Sequence, residues 1–232
     1  MNTTNKPTVV TVGSKELLRA IEQVSPARIT GNTTDFCYKC YIFDIQPGEM
    51  YVMASDYFNM TVRKKVDAII ETDCQERQLF AIYGTLLTAL RLLADEPLRI
   101  VFGHSQVEVT HSNGLFFMPL ENNSGFSAIF PKKEDAKHTV RIEIPDFLHF
   151  LKDTAFCMAD DELRPVMNGV CFDFKDNHLV MAASDGHRLA KVDAYSVPVD
   201  FTASFVMRKQ TLNVMKRLLP KVGWLDLEIY KD

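Results

Sequence analysis

The feature that most constrains this chain is a motif that occurs twice. Phe43-Asp44 is followed, twelve residues after the phenylalanine, by Ser55-Asp56; Phe172-Asp173 is followed at the same spacing by Ser184-Asp185, 129 residues further on. Between these anchors the two copies agree in character. Ile45-Gln-Pro-Gly48 is turn-like where Lys175-Asp-Asn177 is, and Met50 to Ala54 is strand-like where Leu179 to Ala183 is, so each copy reads strand, turn, strand, turn. A chain that repeats a pattern of this kind folds as a series of similar units rather than around one unrelated core.

Helix-period segments flank both hairpins in the same order. Ser14 to Val24 starts behind Ser14 as a cap and places Leu17, Leu18, Ile21 and Val24 on one side. Its counterpart, Pro145 to Lys152, turns Phe147, Leu148 and Leu151 inward and carries proline at the start, where a missing N–H costs nothing. A second helix follows each hairpin: Tyr83 to Ala94 with Leu86, Leu90 and Leu93, and Arg208 to Leu219 with Leu212, Met215 and Leu219. The first copy then continues through Leu98 to Phe102, Gln106 to His111 and Leu115 to Leu120, with a turn at Ser112-Asn-Gly114. The second has only Trp224 to Tyr230. The expected class is α+β, two helices packed on antiparallel sheets in each unit. The expected domains are 1–137 and 138–232, joined through the charged stretch Phe130 to Lys137, with the second lacking its last hairpin.

Composition narrows the function. No run of eighteen apolar residues occurs and Met1 to Pro7 is polar, so nothing directs the chain into or across a membrane, and a cytoplasmic protein is expected. Five cysteines do not make a disulfide framework. Cys37 and Cys40 form a lone CxxC in a strand-like stretch with neither a second CxxC nor a histidine pair, which argues against metal or cofactor binding. A net charge of −4 gives no global attraction to nucleic acid but leaves room for a local cationic face. Lys209, Asn213, Lys216 and Arg217 form such a face, opposite the apolar stripe of their helix. Elsewhere the charges are mixed: Lys15 and Arg19 share a face with Glu22, and Arg91 and Lys152 stand singly.

The run Arg164-Pro-Val-Met-Asn-Gly-Val-Cys-Phe-Asp173, then Leu179 to Ala183, then Ser184-Asp-Gly-His-Arg-Leu-Ala190, resembles the middle-domain signature of the bacterial β sliding clamp family. Leu17-Leu18 to Ser25, Gly48, Ala54-Ser-Asp56 and Asp95-Glu-Pro-Leu98 are placed as in that family's first domain. The resemblance implies the DNA-clamp fold, three repeats per subunit in a head-to-tail dimeric ring whose helices line a central hole. This chain supplies nearly two of the three, and a chain cut short at its C-terminus is expected. The implied function is that of a non-catalytic DNA polymerase III beta subunit, a processivity factor that tethers the polymerase to double-stranded DNA. Its implied partners are the polymerase catalytic subunit, an ATP-driven clamp loader and other proteins with clamp-binding peptides.

By the same resemblance Arg208 and Lys209 match a basic pair that faces DNA, with Arg164 and Arg28 as further candidates, and the charge pattern of the helices adds Lys216, Arg217, Lys15, Arg19, Arg91 and Lys152. Met167, Ser184, Gly186, His187, Arg188 and Leu189 line half of a pocket for client peptides. Two departures are visible. Thr33-Thr-Asp-Phe-Cys37 stands where Thr-Leu-Pro-Ile-Leu is usual, and Pro165-Val166 follows the signature arginine where many members carry a tyrosine pair.

Two other classes compete. One is a two-domain interaction protein that uses the repeat without encircling DNA. The other is a hydrolase using Ser184, Asp185 and His187. Three near-neighbours on a strand and tight turn cannot easily place a histidine between nucleophile and acid, and the chain has no phosphate loop or nucleophile elbow.

Overall fold

The computed structural model describes residues 7–31, 36–56, 60–126, 133–161 and 163–230. The chain divides into two compact units, Met1–Ala128 and Ile129–Asp232. The Lys137 N–H donates to the Ile229 carbonyl at 2.8 Å, so this end of the expected linker is already part of unit 2. Phe130 to Lys132 of that linker, and Thr33 to Asp35, lie outside the described residues.

Unit 1 runs β1 (Thr8–Gly13), α1 (Ser14–Val24), β2 (Cys40–Gln46), β3 (Glu49–Ser55), β4 (Thr61–Val66), β5 (Ala68–Glu71), β6 (Gln78–Tyr83), α2 (Thr85–Leu92), β7 (Pro97–Phe102), β8 (Gln106–His111) and β9 (Gly114–Glu121). Its strands form one sheet in the order β4-β3-β2-β6-β9-β8-β7-β1-β5. The two ends of that order, β4 and β5, are separated in sequence by Asp67 alone, so a single bent segment ties the sheet's margins together. The Asp67 N–H donates to Glu16 Oε1 at 3.0 Å, fixing the bend to α1. Leu17, Ile21 and Val24 of α1 and Leu86 and Leu90 of α2 are buried with Phe43, Val52 and Phe102. Burying each of these side chains contributes roughly 1.5–3 kcal/mol.

Unit 2 runs β10 (His138–Glu143), α3 (Ile144–Ala155), β11 (Gly169–Lys175), β12 (His178–Ser184), β13 (Leu189–Pro198), β14 (Ala203–Arg208), α4 (Lys209–Leu218) and β15 (Trp224–Ile229). The order β13-β12-β11-β14 reproduces β4-β3-β2-β6, and the pair β10-β15 reproduces β1-β7. In unit 1 the β8–β9 hairpin joins the two groups into one sheet; among the described residues of unit 2 they remain separate. Phe147, Leu151, Phe172, Phe174, Met181 and Leu212 form the second core, with Phe172 stacked on Phe205 at 5.4 Å between ring centroids.

Both repeat turns take the backbone that their residues favour. Gly48 has φ +78°, and Asp176 and Asn177 have φ +50° and +66°, the left-handed pair of a tight hairpin. Ser14 is not the cap expected of it. It is the first residue of α1, fully buried, and its Oγ donates to the Ala94 carbonyl at 2.6 Å and accepts the Glu96 N–H at 3.1 Å. A tertiary contact that satisfies two groups of the α2–β7 connection replaces the local cap. Among the described residues no helix is long and apolar enough to cross a membrane.

Candidate functional site

The pairing of β11 with β12 and β14 sets Cys171 opposite Ala182 on one side and Val206 on the other. These small apolar side chains form the floor of a groove of about 290 Å³, with Val166 and Met167 on one wall and Ser184 and Leu189 on the other. Leu189 and Val166 are 69% and 67% exposed, so the groove offers apolar surface to solvent. A mostly apolar cleft with a few polar groups at its rim suits a short peptide.

The rim on the β12–β13 side is the turn that carries the signature. Ser184 Oγ donates to the Arg188 carbonyl at 3.0 Å and accepts the Gly186 N–H at 3.1 Å. Asp185 Oδ1 accepts the backbone N–H groups of His187 and Arg188, both at 3.0 Å, while Oδ2 accepts Arg188 Nε at 2.8 Å. These donors, the His187 N–H first, lower the Asp185 carboxyl to about 2. Gly186 has φ +90°, and a Cβ there would stand 2.9 Å from Arg164 Nη1. The arginine, held by Asp161 Oδ2 at 2.8 Å, packs into the space that the missing side chain leaves. Ser184, Asp185 and His187 therefore do not form a hydrolytic relay. The serine proton lies on a main-chain carbonyl, and the carboxylate meets the main-chain N–H of His187.

Of the six residues expected in a peptide pocket, Met167, Ser184 and Leu189 line the groove, and Gly186, His187 and Arg188 form the adjoining turn. Val166, Cys171, Ala182 and Val206 were not anticipated in this role. The sequence marks Cys171, Ala182 and Val206 as strand residues, but the register that brings them side by side is a property of the folded sheet.

The candidate phosphate contacts separate into two groups. On α4, Lys216 and Arg217 are exposed, as is Arg208 just before it; none of the three has an ion-pair partner among the described residues. Lys209 lies 3.4 Å from Asp160. Lys152 and Arg19 are also exposed. The others are engaged within their own unit. Lys15 Nζ donates to the Leu93 carbonyl at 2.8 Å, and Arg91 pairs with Glu22 at 2.9 Å. Arg28 donates from Nη1 to the Lys39 carbonyl at 3.0 Å, lies 5.3 Å from the centre of the Tyr41 ring and fills the space beside Gly84, where a Cβ would meet Nη1 at 2.5 Å. Arg164 stands at the rim of the groove, as above.

Cys37 and Cys40 are free and buried, and burial pushes the Cys40 thiol up to about 12, far from a reactive thiolate. No cluster of metal-ligating side chains occurs among the described residues.

Residues 141–231 match the family described as DNA polymerase III beta subunit, central domain. Over these residues the chain is similar to the central domain of DNA polymerase III beta subunits. A beta sliding clamp of Rickettsia felis is 29% identical over 119 residues, covering 50% of this chain and 30% of that protein. Among solved structures, a DNA polymerase III beta subunit from Eubacterium rectale superposes with a TM-score of 0.85 at 21% identity, over 96% of this chain and 60% of its own. The DNA polymerase sliding clamp of Bacillus subtilis gives 0.84 at 16% identity, over 97% and 60%. The chain thus has the clamp fold along nearly its whole length and spans about 60% of the solved clamp chains. The groove and α4 both lie within the stretch that matches the central-domain family, although Val166 and Met167 come from the connection between α3 and β11.

Proposed function

We propose that this chain is a sliding-clamp subunit, or the part of one that carries the first two repeats, and that it acts without catalysis as a processivity factor on duplex DNA. The observation that carries the reading is the face of α4. Lys216 and Arg217, with Arg208 ahead of them, are held in solvent on a clamp-fold unit with no carboxylate partner among the described residues. Such groups attract phosphates without reading bases, which is what a protein that must slide requires. Lys209, Arg19 and Lys152 add to the same attraction. The groove beside Leu189 receives short peptides of the DNA polymerase III catalytic subunit, the clamp loader and other clients, and the subunits self-associate into a ring in the cytoplasm.

Duplex binding measured against salt concentration tests the DNA part. Arbitrary sequences should bind equally, and K216A/R217A should lower the steepness of the log–log salt dependence by about 2, since each neutralised phosphate contributes a slope near 0.9. An unchanged slope would remove α4 from the interface. Retention on circular DNA, lost on linearising it, tests encirclement.

A further inference from the structure

The Val166–Met167 wall of the groove belongs to the connection between α3 and β11, with which no strand pairs among the described residues of unit 2. Besides main-chain bonds, one side chain ties it down at two points. Asn168 Oδ1 accepts the Asp161 N–H at 2.9 Å, and Asn168 Nδ2 donates to the Asp161 carbonyl at 2.9 Å. The side-chain amide thus pairs with both main-chain groups of Asp161, as the opposite residue of an antiparallel strand would, using one donor and one acceptor at once. The main chain of Asn168 reaches the other way, its carbonyl accepting the N–H of Lys209, the first residue of α4, at 2.9 Å. That N–H has no partner inside the helix. Asp161, fixed in this way, accepts the Leu163 N–H and Arg164 Nε, both at 2.8 Å, and so sets the arginine that packs against Gly186 on the opposite rim. The Met167 carbonyl accepts the Ala159 N–H at 2.9 Å, closing the loop beneath the wall.

We infer that Asn168 is a positioning residue for peptide docking: its side-chain amide holds the Val166–Met167 wall in place and its carbonyl ties that wall to the start of α4. The inference rests on the groove being a peptide site. Asn168 touches no client itself; it determines whether the apolar wall stands at the right distance from Leu189.

The chemistry supplies its own test. A carboxylate in place of the amide accepts the Asp161 N–H but cannot donate to the Asp161 carbonyl, and it sets negative charge against that oxygen. A protonated carboxyl has the amide's shape and both functions. It should titrate above the ordinary carboxylate range, because the neighbouring carbonyl and partial burial disfavour the anion. Binding of a fluorescein-labelled Ala-Leu-Ala-Leu-Phe peptide should therefore weaken about tenfold in N168D at pH 7.5 and return to within about twofold of the unsubstituted protein at about pH 5. N168A should stay weak at both values. Amide hydrogen exchange of the α3–β11 connection should follow the same pattern while β12 and β13 stay protected, which separates a displaced wall from an unfolded unit. If the unsubstituted protein does not bind the peptide, the docking reading fails and the inference with it. If it does, and N168D binds equally at both pH values or shows no recovery at the lower one, only the role of Asn168 is overturned.

Discussion

Asp44 and Asp173 occupy the same point of the repeat, yet their surroundings are opposite. Asp44 is fully buried between two guanidinium groups, Arg77 Nε at 2.8 Å and Arg63 Nη2 at 3.2 Å, and Arg63 in turn lies over the Tyr51 ring at 3.5 Å. Asp173 is only half-buried and pairs with Lys175, itself on the surface. The same contrast runs through the cations. In unit 1, Lys15, Arg28 and Arg91 bind carbonyls, a ring or a glutamate of their own unit, whereas α4 of unit 2 leaves Lys216 and Arg217 in solvent. One architecture thus serves two uses of charge. Asp44, Lys15, Arg28 and Arg91 join elements of unit 1, whereas Lys216 and Arg217 of α4 are available to something outside.

The sharpest way to break this comparison is to remove the matched aspartates. D44A removes the buried carboxylate that Arg63 and Arg77 share and should destabilise the chain by about 3 kcal/mol, the scale of a broken buried pair. D173A should cost less than about 1 kcal/mol, as solvated pairs do. Urea denaturation of the full chain reads both, and equal losses would mean that the two positions are not energetically distinct.

A smaller effect is expected at the groove rim. G186A must adopt φ +90° with a side chain and displace Arg164, which should cost about 1 kcal/mol and weaken peptide uptake. G13A, at φ −65° with its nearest neighbour at 3.8 Å, needs no strained backbone, so its cost should be smaller and peptide uptake unchanged. Indistinguishable variants would show that the rim is free to relax.

The smallest effect concerns pH. His178 sets Nδ1 3.1 Å from the Asp176 carbonyl and Nε2 3.2 Å from Asp193 Oδ1, and both partners are acceptors. Only the imidazolium can donate to both, and the Asp176 carbonyl first, then Asp193, raise the pKa above 6.5. The group that gains a proton more readily when folded stabilises unit 2 fully below about pH 6.5, and that contribution is lost as pH rises through the folded value. Denaturation midpoints across this window should fall with rising pH, and H178N should remove that part of the slope. A midpoint that rises instead would show the histidine to be held neutral.

Much of the fold is legible in the sequence. The apolar spacing of Leu17, Ile21 and Val24 marks α1 over Ser14–Val24, and the turn residues Gly48, Asn177 and Gly186 all adopt the positive φ their positions suggest. Three of the residues that line the groove, Met167, Ser184 and Leu189, are legible too, because they sit in a recognisable signature. What escaped was set by partners distant in sequence. Ser14 has the composition of a cap but bonds eighty residues away, to Ala94. Arg28 looks like a free cation but is enclosed by Lys39, Tyr41 and Gly84. Asn168 sits inside the quoted motif, yet nothing in the motif says that its amide pairs with Asp161.

The sequence by itself determined the repeated plan, because periodicity and turn chemistry act over a few residues and hold wherever the segment is placed. It also marked α4 as a carrier of cations, since helical spacing turns Arg217 well away from Leu212 and sets Lys209 and Lys216, three residues before it and four after it, along the flank of the apolar stripe. Only the tertiary structure decided which charges are internal and which are free, and which small residues floor the groove. Those outcomes depend on strand register and on the competition between water and distant carbonyls, carboxylates and rings for each polar group, which is settled only when the sheets have closed.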